Sequence, residues 1–181
     1  HPPPRPKALI HLTGWSAVVL IFAAPISRTL FIASGVLFAA AWVAEGNYRA
    51  KWILLRNLPV TAPFLSLSAI VLTWSTFSPA HTENIITTLK VYSKLPLVLM
   101  LVTTFSDERW RQRAWWAFTG AMLLMVLSTH ANVVVDLPWS RTSNQGLGRD
   151  HSVFIEHVSQ SLMTAVFVAY SIQRYIESQV P

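Results

Sequence analysis

No cysteine occurs among the 181 residues, which excludes disulfides, thiolate chemistry and Cys-based zinc sites. Charge is scarce, with only 12% of residues Asp, Glu, Lys or Arg, about half the share of an ordinary soluble domain. Acids are scarcer than bases, eight against 14. In a soluble protein that excess would suggest nucleic acid. Here the basic residues stand in short clusters between apolar blocks, as topology signals do, and no nucleic-acid partner is expected. A good small-x-small cleavage site is also missing near the end of the first apolar run, so "HPPPRPK" leads into a retained span rather than a signal peptide. No internal repeat or linker breaks the chain beyond those Pro-rich first residues, and residues 1–181 read as one membrane domain.

What is present is apolar and aromatic: 52% of residues are hydrophobic and eight are tryptophan, with a mean hydropathy of +0.43. These numbers describe a protein surrounded by membrane lipids. A hydrocarbon core about 30 Å thick needs about 20 helical residues, and six blocks approach this: 11–26, 30–45, 58–77, 85–105, 114–135 and 152–173. The expected fold class is all-α, a polytopic bundle with about six transmembrane helices in this chain. Arg5 and Lys7, then Arg49, Lys51 and Arg56, then Arg109, Arg111 and Arg113, and finally Arg174 alternate with the blocks so that all four groups share one side. The positive-inside rule makes that side, and both chain ends, cytoplasmic. The outer side then holds residues 27–29, the segment "SPAHTEN" and the loop "DLPWSRTSNQGLGRD".

Two stretches carry polarity that a bilayer disfavours. The unbroken apolar part of the fourth block, "LPLVLMLVTTF", has 11 residues and covers roughly 16 Å, about half a bilayer. To cross, the helix must continue back through "IITTLKVYSK", which draws Lys90 and Lys94 into the outer half of the membrane. Glu83, Thr87, Lys90 and Lys94 follow the spacing of one helical face. Pro96 lacks an N–H and leaves the Tyr92 carbonyl unpaired, which bends the helix beside the lysines. An ionised lysine near mid-bilayer costs about 3 kcal/mol. It either points into a polar cavity or reaches outward to the headgroups.

The second stretch is "GLGRDHSVFIEHVSQS". Gly146 and Gly148 permit a turn, a helix is predicted to start near 150–152, and Arg149 stands at its entrance. With Arg141, that helix end forms a candidate anion site; the alternative is a solvated loop capped by Asp150 or Ser152. Glu156, further on, is placed either to pair with Lys90 or Lys94 or to act as a general base on a hydroxyl. His151 and His157 are six positions apart and share no helical face, so no metal site is expected.

The pattern "KVYSKLPLVLMLVTTFSDERWRQRAWWAFTGAMLLMV" over 90–126, the hairpins with small basic inner loops, and the Gly- and Arg-bearing loop leading into "HSVFIEHVSQSLMTA" resemble the N-terminal half of the O-antigen ligases. The likeness covers about half the chain. It implies a GT-C-like bundle of about a dozen helices, of which this chain would be the N-terminal part. It also implies metal-independent, cofactor-free transfer of O-antigen from undecaprenyl pyrophosphate to the lipid A-core on the periplasmic face of the bacterial inner membrane. Members of that family are about twice as long and carry their essential histidine in a large later loop. The resemblance therefore assigns no catalytic residue here, His151 included. It implies Arg149, then Arg141, as ligands of the donor pyrophosphate, alongside Lys90 and Lys94, with Glu156 and His151 as supporting polar groups. The alternatives are an O-antigen polymerase, a transporter or flippase for a lipid-linked sugar, and a non-catalytic membrane subunit whose charges pair with one another.

Overall fold

The computed structural model describes residues 7–78, 82–142, 153–154 and 157–179. Among them lie eight helices and no strand: α1 (Lys7–Ala23), α2 (Arg28–Glu45), α3 (Tyr48–Arg56), α4 (Thr61–Phe77), α5 (Thr82–Tyr92), α6 (Lys94–Phe105), α7 (Glu108–Val134) and α8 (His157–Gln179). The blocks 11–26, 30–45, 58–77 and 114–135 lie largely on α1, α2, α4 and α7, the block 85–105 covers α5 and α6, and the block 152–173 is helical from His157 on. Fewer than the expected six are long and apolar enough to span. Three spans are long and apolar enough to cross a membrane: α2, the 24 residues of α5 and α6 together, and α7. A fourth arises if α3 and α4, bent by 108° at a short break, count as one. α1 is a shorter apolar helix, and α8 is less apolar because polar residues such as Ser159, Gln160, Gln173 and Arg174 interrupt it. Several apolar helices thus fit a multi-pass membrane protein.

Local chemistry sets the breaks. Pro25 sits in the turn after α1, and Ser27 Oγ accepts the Leu30 N–H at 3.3 Å as the N-cap of α2. α2 ends at Gly46, with φ at +71°, and Asn47 follows at φ 56°. Two consecutive left-handed residues turn the chain sharply, and glycine and asparagine tolerate that conformation best. Between α3 and α4, the Thr61 hydroxyl donates to the Leu55 carbonyl at 2.7 Å and ties the start of one helix to the end of the other. Ser93 separates α5 from α6, which makes Pro96 the third residue of α6. In a first turn a proline removes no intrahelical bond, so the interruption sits where the missing N–H is tolerated. Asp107 Oδ1 accepts the Arg109 N–H at 2.9 Å and caps α7.

Several helical hydroxyls are satisfied within their own helix. Thr13, Ser34, Ser68 and Thr129 each donate to the carbonyl four residues back, at 2.7 to 3.0 Å. Such back-bonding lets Ser and Thr occupy a medium without water.

Two compact units divide the chain: 1–17 with 35–111, and 18–34 with 112–181. In the first, Ala17, Phe38, Ala41, Leu55, Val71, Leu99 and Trp110 are buried. Trp110 lies on Gly14, where an added Cβ would overlap the indole. His11 and Trp15 meet its ring edge-on at 5.9 and 5.8 Å, a favoured aromatic geometry. In the second unit, Leu20, Ala23, Met122, Met125 and Val153 form the core. There Trp115 packs on Phe167 and Tyr170 of α8 at 5.8 and 4.2 Å.

Gly14→Ala is expected to destabilise the protein by about 1–3 kcal/mol because the indole must move. Gly120, also helical, has open space around its Cβ direction, so Gly120→Ala is expected to be neutral or stabilising by about 0.5–1 kcal/mol. Thermal unfolding in detergent checks both; equal effects would contradict the close packing on Trp110.

Candidate functional site

The structure places Lys90 near the end of α5 and Lys94 at the first position of α6, both exposed. Their four-residue spacing keeps them on one helical face. Thr87 Oγ1 donates to the Glu83 carbonyl at 2.8 Å and Ser93 Oγ to the Lys90 carbonyl at 2.8 Å. The hydroxyls beside the lysines, Thr87 and Ser93, therefore serve the backbone. Val91, Tyr92 and Val98 around them are exposed too, so this part of the span opens outward and the two ammonium groups lie on its surface. Either source of burial considered from sequence, a cavity or the headgroup layer, has to be supplied by what surrounds this face.

Arg141 is exposed on its side chain, but its backbone is fixed. Its N–H donates to the Val153 carbonyl at 3.0 Å. Asn132, fully buried near the end of α7, holds the same segment. Its Nδ2 donates to the Thr142 carbonyl at 3.1 Å, and its Oδ1 accepts the Leu137 N–H at 3.3 Å. Ser140 Oγ donates to the Thr142 carbonyl at 2.8 Å and completes the turn. A buried amide with its hydrogen bonds satisfied orders a loop that carries little apolar surface. The helix predicted to begin near 150–152 starts later than expected: residues 153–154 form a bend and α8 begins at His157. The reason is a contact from outside the segment, since a helix through Val153 would need the carbonyl that the Arg141 N–H occupies. Arg149, His151 and Glu156 lie outside the described residues, and the anion site proposed at the helix entrance lies there with them.

Sequence reading misses Asn132 as an anchor, although an isolated amide in "THANVVVDLP" is a legible signal. It also misses Gln160, whose Nε2 donates to Thr129 Oγ1 at 2.9 Å and ties α8 to α7.

The most highly organised polar site lies elsewhere, at the corner between α2 and α3. Lys51 Nζ donates to the Trp42 carbonyl at 3.0 Å, lies 3.6 Å from Glu45 Oε1 and stands 4.0 Å above the centre of the Trp42 ring. The side chains of Lys51 and Glu45 are 11% and 12% exposed. A lysine bonded to a carbonyl at a helix C-terminus satisfies an orphan acceptor and opposes the negative end of the dipole. Trp42 Nε1 donates in turn to Thr103 Oγ1 of α6 at 2.8 Å, and Thr103 Oγ1 donates to the Met100 carbonyl at 2.7 Å. Tyr48 OH donates to the Val43 carbonyl at 2.6 Å. Beside this network is a cleft of about 150 Å³ reached by Glu45, Lys51, Thr103, Thr104, Asp107 and Trp110. With carboxylate, indole and carbonyl all engaged by one ammonium, the chemistry of the corner is mechanical: it fixes the exit of α2 and the direction of α3. From sequence, Lys51 reads only as an orientation signal, and the Glu-x-x-x-x-x-Lys spacing across Gly46 and Asn47 has no helical periodicity to reveal the pair.

Comparison with family models, with curated proteins and with solved structures returns no match to this chain.

Lys51→Met is expected to lower stability by about 1–3 kcal/mol, because it leaves the Glu45 carboxylate and the Trp42 carbonyl poorly paired. Adding Glu45→Gln is expected to recover part of the loss, with a coupling of about 1 kcal/mol in a double-mutant cycle read by denaturant unfolding. Strict additivity would contradict the pairing.

Proposed function

We propose that this chain is the N-terminal membrane part of a glycosyltransferase of the O-antigen ligase type. In this reading, O-antigen polysaccharide moves from undecaprenyl pyrophosphate to the lipid A-core at the periplasmic face of a bacterial inner membrane. The observation that carries the reading is the exposed pair Lys90 and Lys94 on a span long and apolar enough to cross a membrane. Ionised groups retained within a membrane-crossing segment mark a site for a charged substrate or an ion path. The resemblance over 90–126 includes this pair and supports a lipid-borne diphosphate as that substrate.

The chemistry then follows from charge. An acceptor hydroxyl oxygen attacks the anomeric carbon as the bond from that carbon to the pyrophosphate oxygen breaks, with inversion. The electron pair leaves on the lipid diphosphate. Ammonium groups from Lys90 and Lys94 stabilise that developing charge, and the resemblance implies the guanidiniums of Arg141 and Arg149 as further ligands of the diphosphate. Arginine adds two parallel donors to one phosphate, and lysine contributes a compact point charge. The hydroxyl proton passes to a base outside this set of residues. An O-antigen polymerase would use the same donor chemistry and differ in the acceptor, a second carrier-linked chain.

A second reading, a flippase for the same lipid, is favoured by one observation: α3 and α4 are sharply bent at a break, and α5 and α6 are also interrupted. Discontinuous helices characterise transport sites at mid-membrane. Both breaks lie in the same unit, whereas a transporter built from two repeats carries them in corresponding positions of each half.

In nanodiscs holding the full-length protein, Lys90→Met/Lys94→Met is expected to weaken retention of undecaprenyl pyrophosphate by on the order of tenfold per lysine lost. Transfer to an acceptor sugar is expected to fall in parallel, with helix content unchanged. Retention and transfer at the parental level would remove the lysines from the donor site. Loss of lipid exchange between leaflets without any sugar transfer in the parent would favour the flippase.

A further inference from the structure

We propose that α3 lies along the inner membrane surface and binds anionic phospholipid headgroups through Arg49 and Arg56. This inference concerns the other end of the helices from Lys90 and Lys94 and stands independently of the transferase reading.

Direction comes first. α4 is an apolar helix whose Leu65, Ile70, Leu72 and Trp74 are exposed, the surface of a helix meant for lipid. The angle of 108° between α3 and α4 places α3 within 18° of perpendicular to it. With α4 near the membrane normal, α3 lies close to the membrane plane. The basic residues of α3 belong to the group that the positive-inside rule assigns to the cytoplasmic face, which locates α3 at the inner surface.

The two sides of α3 differ in what they contact. Leu55 is buried, Lys51 is turned into its contacts with Glu45 and Trp42, and the helix packs against α4 and α6. Facing away are Trp52, Arg56, Arg49 and Ile53, all exposed. At about 100° per residue these four occupy one arc of about 100°. The two arginines stand at its centre, with Trp52 on one flank and Ile53 on the other, while Tyr48 is turned back to the Val43 carbonyl and the Trp42 ring. α3 contains no acidic residue, and since Lys51 is engaged inward, the outward charge is that of the two guanidiniums. An aromatic ring beside guanidiniums suits the boundary where acyl chains give way to phosphate: the ring and the arginine stems enter the apolar layer while the forks reach the phosphates. A partner of net negative charge with an apolar underside matches this arc, and a leaflet rich in anionic lipid is such a partner.

The helix is also fixed before it meets lipid. The Gly46–Asn47 corner, the Lys51 contacts and the bond from Thr61 to Leu55 hold both its ends, so little ordering is needed on binding.

The full chain is reconstituted in phosphatidylcholine vesicles doped either with phosphatidylglycerol or with extra phosphatidylcholine, each brominated on its acyl chains. Trp52's share of fluorescence is the difference between the parent and Trp52→Phe. Brominated phosphatidylglycerol is expected to quench that share several-fold more strongly than brominated phosphatidylcholine. The excess is expected to vanish in Arg49→Gln/Arg56→Gln and to shrink in about 0.5 M salt. Both arginines are exposed, and circular dichroism confirms that the variant keeps its helices. Equal quenching by the two lipids, or an excess that survives the double substitution, would overturn the headgroup contact. No quenching of Trp52 by either lipid would place α3 in water or against another protein and would overturn it as well.

Discussion

One ammonium group organises the corner on which the first unit turns. Lys51 reaches back to the last turn of α2, where it meets the Trp42 carbonyl, the Trp42 ring and the Glu45 carboxylate together. Without it, α2 would end in an orphan carbonyl and a largely buried carboxylate, each expensive where water is scarce. The same contact withdraws Lys51 from the outward surface of α3 and leaves that surface to Arg49 and Arg56. Trp42, held from below by the lysine, carries the linkage on to α6 through Thr103. Helix end, helix direction and the attachment of α6 thus depend on one set of contacts.

The second unit solves a similar problem with neutral groups. Where α7 ends, Asn132 supplies both a donor and an acceptor to residues 137–142, and Arg141 closes the turn against Val153. An amide suits this position because it satisfies backbone groups of both kinds without introducing a charge. The consequence for function is positional. Arg141 has a defined backbone and an exposed side chain.

How much of this was legible in the sequence depends on the range of the interaction. Apolar blocks and basic clusters are local signals, and most of the blocks lie on helices, because hydrogen bonding in lipid leaves the backbone little choice. Pro96 reads only in part: the sequence predicts a bend within one helix, whereas α6 starts two residues before it and the proline falls in a first turn. α3 does not read as a separate element: nine residues between a Gly–Asn turn and Pro59 look like a basic loop leading into the next span. Its helicity depends on packing against α4 and α6. The Lys51 contacts are less visible still, since nothing in "WVAEGNYRAK" distinguishes a lysine folded back onto Trp42 from one in solvent until the left-handed pair at Gly46 and Asn47 is known. The start of α8 was misjudged for the same reason: the bond from Arg141 to Val153 joins residues twelve apart and outweighs the local preference at 150–152. Of the candidate site, Lys90, Lys94 and Arg141 were named from polarity where apolarity was needed, a local contrast. Their surroundings are set by more distant parts of the fold.

The proposals require that, within the first unit, Lys90 stand toward one face of the membrane and Lys51 and α3 toward the other, and that, in the second, Arg141 be reached from the periplasmic side. The absence of cysteine makes this directly measurable, because each introduced thiol reports only its own position. Thr82→Cys and Trp139→Cys mark the outer side, and Asn57→Cys and Ser106→Cys the inner; all four positions are exposed. In intact cells, a membrane-impermeant maleimide is expected to label the first pair and to reach the second only after permeabilisation. Labelling of Asn57→Cys or Ser106→Cys in intact cells, or protection of Thr82→Cys or Trp139→Cys until the membrane is opened, would contradict the orientation.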